Sequence, residues 1–514
     1  MALSTLQNYS EYLIENFGDE KFLEHIYSHK WSILAGTFAV YQAYKYLTRP
    51  KNLPPGPRGL PLVGAMFSLT MNMHLDCLKW TEKYKSDVVS FYLGRQLNVI
   101  LNSADVIKTA FVKSTDFANR DLTTKEDIDL HEELFGSHYS EEYKKLKSFM
   151  LASVKKHGFG TPRSEENMKR QLTQLIGHLE TLPDGTIDHE GMKRILMKAA
   201  VGVIMKIIAN QEYTFDDADL EDLMSRVSNF MEVLFRNGII SMFLANIFPA
   251  FIMWIIKKKY TKDSRAALDH LRQFFKVLYE DHKSTLDMDN SRDFMDDVLI
   301  YNAQKPMWSD LQMTDSVMII TPDAIDTTSN QIGWVLFYIC WHPEVQDKMV
   351  AEIQKVCGDR MPEFKDRSKL VYCEGAMLEG LRMSSIACLS GPHINIEQVE
   401  LNGFTIPKNT QVQANLYAYH FDEKIFPEAD KFKPERFVSS EGKLVNSENV
   451  VAFSTGHRKC VGESLTKSQT FYYMAGLVQK FQLSFVEGHK PETMDTDNMY
   501  RAPPKHKMKV VARY

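Results

Sequence analysis

Two groups of residues in this sequence are of types and at spacings that could do chemistry. The first surrounds Cys460, in the stretch Phe453 to Gly462, which reads FSTGHRKCVG. Its fixed points are Phe453, Gly456, Arg458, Cys460 and Gly462. At average residue usage, that pattern arises by chance on the order of once in ten thousand chains of this length. The second group lies in TPDAIDTTS, Thr321 to Ser329, where Asp326 precedes Thr327. A hydroxyl donates and accepts, and a carboxylate connects to water, so the pair can relay protons. Glu379 and Arg382 (EGLR) stand three apart on one helix face, and FKPERF (Phe432 to Phe437) follows with Arg436. Alone, a Glu–Arg pair at that spacing is usually a solvated bridge worth little. The other cysteines, at 77, 340, 357, 373 and 388, form no CxxC pair or zinc-type spacing. They fit a reducing compartment and read as small buried hydrophobes.

The Cys460 stretch resembles the haem-ligand loop of the cytochrome P-450 superfamily. The resemblance covers roughly residues 50–510, including Trp334 and the segment HPEVQDKMVAEI at 342–353. It implies a mainly α fold with small β-sheets, a single catalytic unit, and haem (iron protoporphyrin IX) as cofactor. Cys460 would be the axial sulfur ligand of the iron, and an anionic sulfur favours O–O cleavage. The glycines of the stretch, Gly456 and Gly462, would let backbone amides approach that sulfur, Phe453 would shield it, and Arg458 would pair with a haem propionate. Pro392-His393 matches a further propionate contact. Glu379, Arg382 and Arg436 correspond to a buried ionic triad that locks the core beside the haem, which places Arg382 with the cofactor-supporting residues. Asp326 and Thr327 correspond to the acid–alcohol pair that serves dioxygen.

The sequence departs from the family pattern in two places. Where a tryptophan and, four residues on, an arginine usually cover one propionate, this chain has Tyr143 and Lys147. The phenol can donate and the ammonium supplies charge, but the bidentate fork is lost. Two small residues usually precede the oxygen-site acid, and here they are Asp323 and Ala324 after Pro322. A carboxyl at 323 costs free energy if buried unless it is protonated or paired. Thr321-Pro322-Asp323 also reads as a helix start, with Thr321 as N-cap and proline at the first helical position.

The elements that must position these residues read as mostly helical. Helical periodicity covers 165–210, 264–283, 314–357 and 367–383. Val88 to Asn102 predicts a strand hairpin around Gly94, and Asn402-Gly403 predicts another hairpin within Ile394 to Gln413. Residues 1–30 form an amphipathic segment, 31–47 a transmembrane anchor, 48–64 a proline-rich linker, and 65–514 the haem-binding monooxygenase domain. As a helix the anchor spans about 25 Å, slightly short of the roughly 30 Å hydrocarbon core. Arg49, Lys51 and Arg58 follow it and five acids precede it, so the catalytic body is expected on the cytoplasmic face. A buried core helix is the alternative for the short apolar run, and a cleaved signal is disfavoured by the polar residues before it. A second apolar run, Phe243 to Ile256, precedes Lys257, Lys258 and Lys259 and predicts a loop that dips into the same bilayer, a core helix being its alternative.

Apolar residues make up 44% and charged residues 25%, an ordinary globular balance, and the formal charge of -5 argues against general nucleic-acid binding. The resemblance is nearest to the microsomal branch acting on drugs, steroids and fatty acids. It implies a monooxygenase at the endoplasmic reticulum membrane, with NADPH-derived electrons from a reductase, cytochrome b5 as a further partner, and a lipophilic substrate. Lysines 144, 145, 147, 155, 156, 459 and 467, with Arg458, predict a basic face for an acidic electron donor. A reductase-independent haem-thiolate isomerase or dehydratase, and a non-catalytic haem protein, are the alternatives.

Overall fold

The computed structural model describes residues 50–61, 63–120, 138–244, 250–491 and 499–513, with 29, 32, 36, 48 and 493 besides; for 235–244 and 250–261 it describes backbone alone. The expected anchor at 31–47 and the segment before it therefore lie almost wholly outside the described residues. No helix among the described residues is long and apolar enough to cross a membrane.

Helices dominate, as the apolar periodicity predicts. In chain order they are α1 (Met73–Tyr84), α2 (Ala104–Phe111), α3 (Glu141–Lys156), α4 (Glu165–Glu180), α5 (His189–Ala209), α6 (Ala218–Leu244) and α7 (Ala250–Ser284). Then come α8 (Phe294–Gln304), α9 (Asp310–Met318), α10 (Ile320–Trp341), α11 (Pro343–Cys357), α12 (Val371–Ser384), α13 (Leu416–His420) and α14 (Glu463–Lys480). The second apolar run is divided between the end of α6 and the start of α7, and its middle, 245–249, lies outside the described residues.

Both expected hairpins are present. Strands β1 (Val88–Leu93) and β2 (Gln96–Leu101) pair antiparallel around Gly94, and β2 then runs parallel to the later strand Gln411–Ala414. After β3 (Thr186–Asp188) and β4 (His393–Ile394), strands β5 (Val399–Leu401) and β6 (Phe404–Ile406) turn at Asn402-Gly403. Both turn residues have positive φ, 52° and 80°, as this two-residue turn requires. Strand β7 (Gln411–Ala414) completes the sheet β1-β2-β7-β4, while β8 (Phe481–Phe485) and β9 (Lys507–Ala512) form the sheet β3-β9-β8.

The core is organised around α10, which packs on α5, α12 and α14 and buries Trp334 to Ile339 without interruption. A helix apolar on every side must be enclosed by others, and this one is. It does not begin as expected. Thr321 is not an N-cap: α10 starts at Ile320, and Thr321 is fully buried with its hydroxyl toward the Met205 sulfur at 3.9 Å. Pro322 explains the difference. It has no N–H for the Met318 carbonyl and its ring crowds that carbonyl, so the helix is interrupted just upstream, at Ile319.

Candidate active site

The Cys460 loop joins a 3-10 turn, Gly456–Arg458, to the first turn of α14. Backbone bonding closes it: the Cys460 amide donates to the Phe453 carbonyl at 3.0 Å, and the Gly462 amide donates to Cys460 Sγ at 3.3 Å. Gly456 is required by close approach, because a Cβ there would lie 1.8 Å from the Phe111 carbonyl oxygen at a φ of +77°. Phe453 is half-buried against the main core. Cys460 keeps part of its surface open yet is closely surrounded, and that burial pushes its thiol up, opposed by the Gly462 amide. Asp323 on α10 and Glu463 add to the upward push. Of the described cysteines, 77, 340, 373 and 388 are buried as expected and Cys357 is half-buried.

Beside this loop lies a cluster of cations. Arg458 is buried, donates to the Ala118 carbonyl at 2.7 Å, and lays its guanidinium 3.8 Å over the Tyr143 ring. Lys147 donates to the His457 carbonyl at 2.6 Å. Arg120, which no motif marks, donates to the Gly391 and Pro392 carbonyls at 2.6 and 2.8 Å. Burial first, then the nearby Arg458, brings Arg120 down to about 10. Lys147 is lowered by burial, Arg458 and Arg120, with Cys460 opposing. Groups of one sign that weaken each other's charge make a site for an anion.

His393 on β4 adjoins the cluster. Its ring stacks on Phe111 at 4.0 Å and Nδ1 bonds the Phe117 carbonyl, while Nε2 is buried with no hydrogen-bond partner. Burial, then Arg120, brings this histidine down to about 3. Because a carbonyl only accepts, Nδ1 carries the proton and the neutral Nε2 presents a lone pair. A carboxylate arriving there would favour the imidazolium. A lone thiol with an amide aimed at it, converging cations and an orphaned imidazole nitrogen fit a porphyrin carrying two carboxylates and an iron.

Asp326 and Thr327 are adjacent on α10 but point to different neighbours. Thr327 is exposed and donates from its hydroxyl to the Asp323 carbonyl at 2.5 Å. The half-buried Asp326 is held by Lys193 at 2.9 Å, by the Tyr500 hydroxyl at 2.6 Å and, more loosely, by Asn330 at 3.4 Å. Asp323 is exposed one turn before Thr327, on the side from which its charge reaches Cys460.

Glu379 and Arg382 are fully buried, joined by two bonds of 2.8 Å, and Arg436 reaches Glu379 at 2.9 Å. Arg382 also donates to the His420 and Lys431 carbonyls. Its donors are thus engaged in the triad, and its part is to hold α12 against the FKPERF turn. Much of the expected basic face is paired as well: Lys459 and Lys467 flank Glu463, Lys144 meets Glu141, and Lys156 meets Asp297.

Sequence reasoning missed Arg120, Lys193, Asn330 and Tyr500. Asn330 had a signal, since it follows Asp326 by four residues on one helix face. The others come from distant segments and had none.

The cytochrome P450 family model matches residues 54–510. The chain is 28% identical over 484 residues to cytochrome P450 1A5 of Gallus gallus, covering 89% of each protein. It is 26% identical over 500 residues to cytochrome P450 2U1 of Mus musculus, with 91% and 93% covered, and 29% identical over 467 residues to cytochrome P450 1A1 of Rattus norvegicus, with 86% and 87% covered. A match along nearly the whole folded body makes this chain a member of the cytochrome P450 family, a haem-dependent monooxygenase.

Proposed function

We propose that this protein is a membrane-associated monooxygenase that inserts one atom of O2 into a lipophilic small molecule (a steroid, fatty acid or xenobiotic), with NADPH-derived electrons from a reductase. The observation that carries the reading is the Cys460 loop, whose sulfur accepts from the Gly462 amide at 3.3 Å, together with the acid and alcohol Asp326 and Thr327 adjacent on α10. Bound haem supplies the activation of O2, which a thiolate ligand favours. The chain does the rest. Cys460 would ligate the iron with the Gly462 amide on its sulfur, and Arg120, Lys147, Arg458 and His393 would hold the carboxylates, with Tyr143 beneath Arg458. Asp326 and Thr327 move protons toward the open side of α10.

Membrane association is supported by the apolar run at 31–47 and by an exposed apolar set at the end of the proline-rich linker and just beyond it: Leu60 at 55%, Phe67 at 74% and Met71 at 44%. We place the protein at the endoplasmic reticulum, its body cytoplasmic, because basic residues follow that run. The test is a lipid-library screen for substrate-induced haem spectral shifts, followed by NADPH consumption with reductase. Product formed with NADPH and reductase is the expected result. Rearrangement of a peroxide substrate without reductase would overturn it in favour of an isomerase.

A further inference from the structure

Asp326 is held from two sides by residues that belong to no recognised motif. Lys193 on α5 takes Oδ1, and the Tyr500 hydroxyl, from the segment just before β9, takes Oδ2 at 2.6 Å. Asn330, one turn along α10, donates both to that oxygen and to the Tyr500 hydroxyl, at 3.4 and 3.2 Å. Asn330 to Tyr500 to Asp326 is therefore a directed chain in which each donor polarises the next. It links the C-terminal segment to the middle of α10.

We propose that Tyr500 is a positioning residue for the oxygen reaction: its hydroxyl fixes the Asp326 carboxylate, and with it the route by which protons reach Thr327. The proposal rests on the assignment of Asp326 as the proton-relay acid. Burial and the facing charges of Asp326 and Asp323 raise the Tyr500 phenol well above its ordinary value, so it remains a neutral donor at working pH. Lys193 is the cation facing Asp326 from α5. Behind this group, His189, Lys193, Asn330 and His506 line a cavity of about 10 Å³, the size of one water. Asn330 Oδ1 and His506 Nε2 are both buried with no protein partner. Lys193 and Asn330, which both reach the Asp326 carboxylate, thus also line that cavity.

The hydroxyl alone is removed by Tyr500→Phe, and Asp326→Asn supplies the reference, both in the haem-loaded full chain. Tyr500→Phe should lower product per NADPH severalfold and raise peroxide correspondingly, with KM unchanged. A second reading needs no turnover. Tyr500→Phe should lower the Tm by about 1–2 °C in the parent and by less than half that in the Asp326→Asn background, because the lost bond is to a charged partner. Equal losses in both backgrounds, or unchanged product per NADPH beside an uncoupled Asp326→Asn, overturn the proposal. A raised KM with unchanged coupling makes Tyr500 a substrate contact and also overturns it. If Asp326→Asn itself stays fully coupled, the relay assignment fails instead.

Discussion

Replacing Arg120 with glutamine should affect the haem-free and haem-loaded proteins differently. Burial and Arg458 bring this guanidinium down to about 10. At about 1.36 kcal/mol per unit, its charge costs the haem-free fold up to about 3 kcal/mol, less what residual solvent contact screens. Against that stand two bonds to the Gly391 and Pro392 carbonyls, worth about 1 kcal/mol each. Arg120→Gln should therefore leave the haem-free chain within about 1 kcal/mol of the parent. The loaded protein loses a charged donor to a carboxylate, about 1.5–3 kcal/mol, or roughly 10- to 100-fold in haem affinity. Thermal unfolding of both forms, with the rate of haem transfer to apomyoglobin, measures the two numbers. Equal destabilisation of both forms with haem retention unchanged would refute the reasoning, because Arg120 would then be a loop brace.

Cys460→Ala should abolish the thiolate-type reduced carbon-monoxide band and all O2 chemistry, while Cys77→Ala, a change at a buried packing position, should keep the band. Asp323→Gly should change substrate preference or product per NADPH without altering haem content; if it only lowers thermal stability, the carboxyl has no part in the site. His420 is fully buried between the Ser385 hydroxyl and the Val451 amide, and burial brings it down to about 3. Below pH 6.5 the unfolded chain takes a proton that the fold refuses, so stability is full above that pH and declines as pH falls toward 3. At pH 5 the loss from this residue is about 2 kcal/mol, and His420→Gln should flatten the fall in melting temperature between pH 7.5 and 5 by a matching amount.

What could be read from sequence was whatever depends on fixed local spacing. The Cys460 loop closes on itself between Phe453 and Gly462, so its residues imply their own geometry. Glu379 and Arg382 meet because they share a helix face, and Asn402-Gly403 turns because both residues tolerate positive φ. Pro322 was legible as a punctuation mark, either a helix start with Thr321 as N-cap or a break in the helix that carries the preceding VMII, and the break is what is found, at Ile319. Arg120 and Tyr500 owe their positions to packing across hundreds of residues. Of the lysines read as a donor face, Lys144 and Lys467 are paired with acids one turn away on their own helices and Lys459 with Glu463, while Lys156 meets Asp297 from the distant α8.

The pairing of β2 with β7 has a consequence for how the chain is made. Gln96 at the start of β2 bonds the Asn409 carbonyl, 313 residues later. At about 5–20 residues per second, a ribosome needs roughly 15–60 s to deliver that partner. The β1-β2 hairpin must wait with one edge open, as an exposed template for wrong pairing. The second sheet waits longer still. Its central strand, β9, is Lys507–Ala512, so β3 and β8 have nothing between them until that segment has been made. Both sheets are therefore completed late relative to their first strands, and the nascent chain depends on whatever guards open strand edges in the meantime.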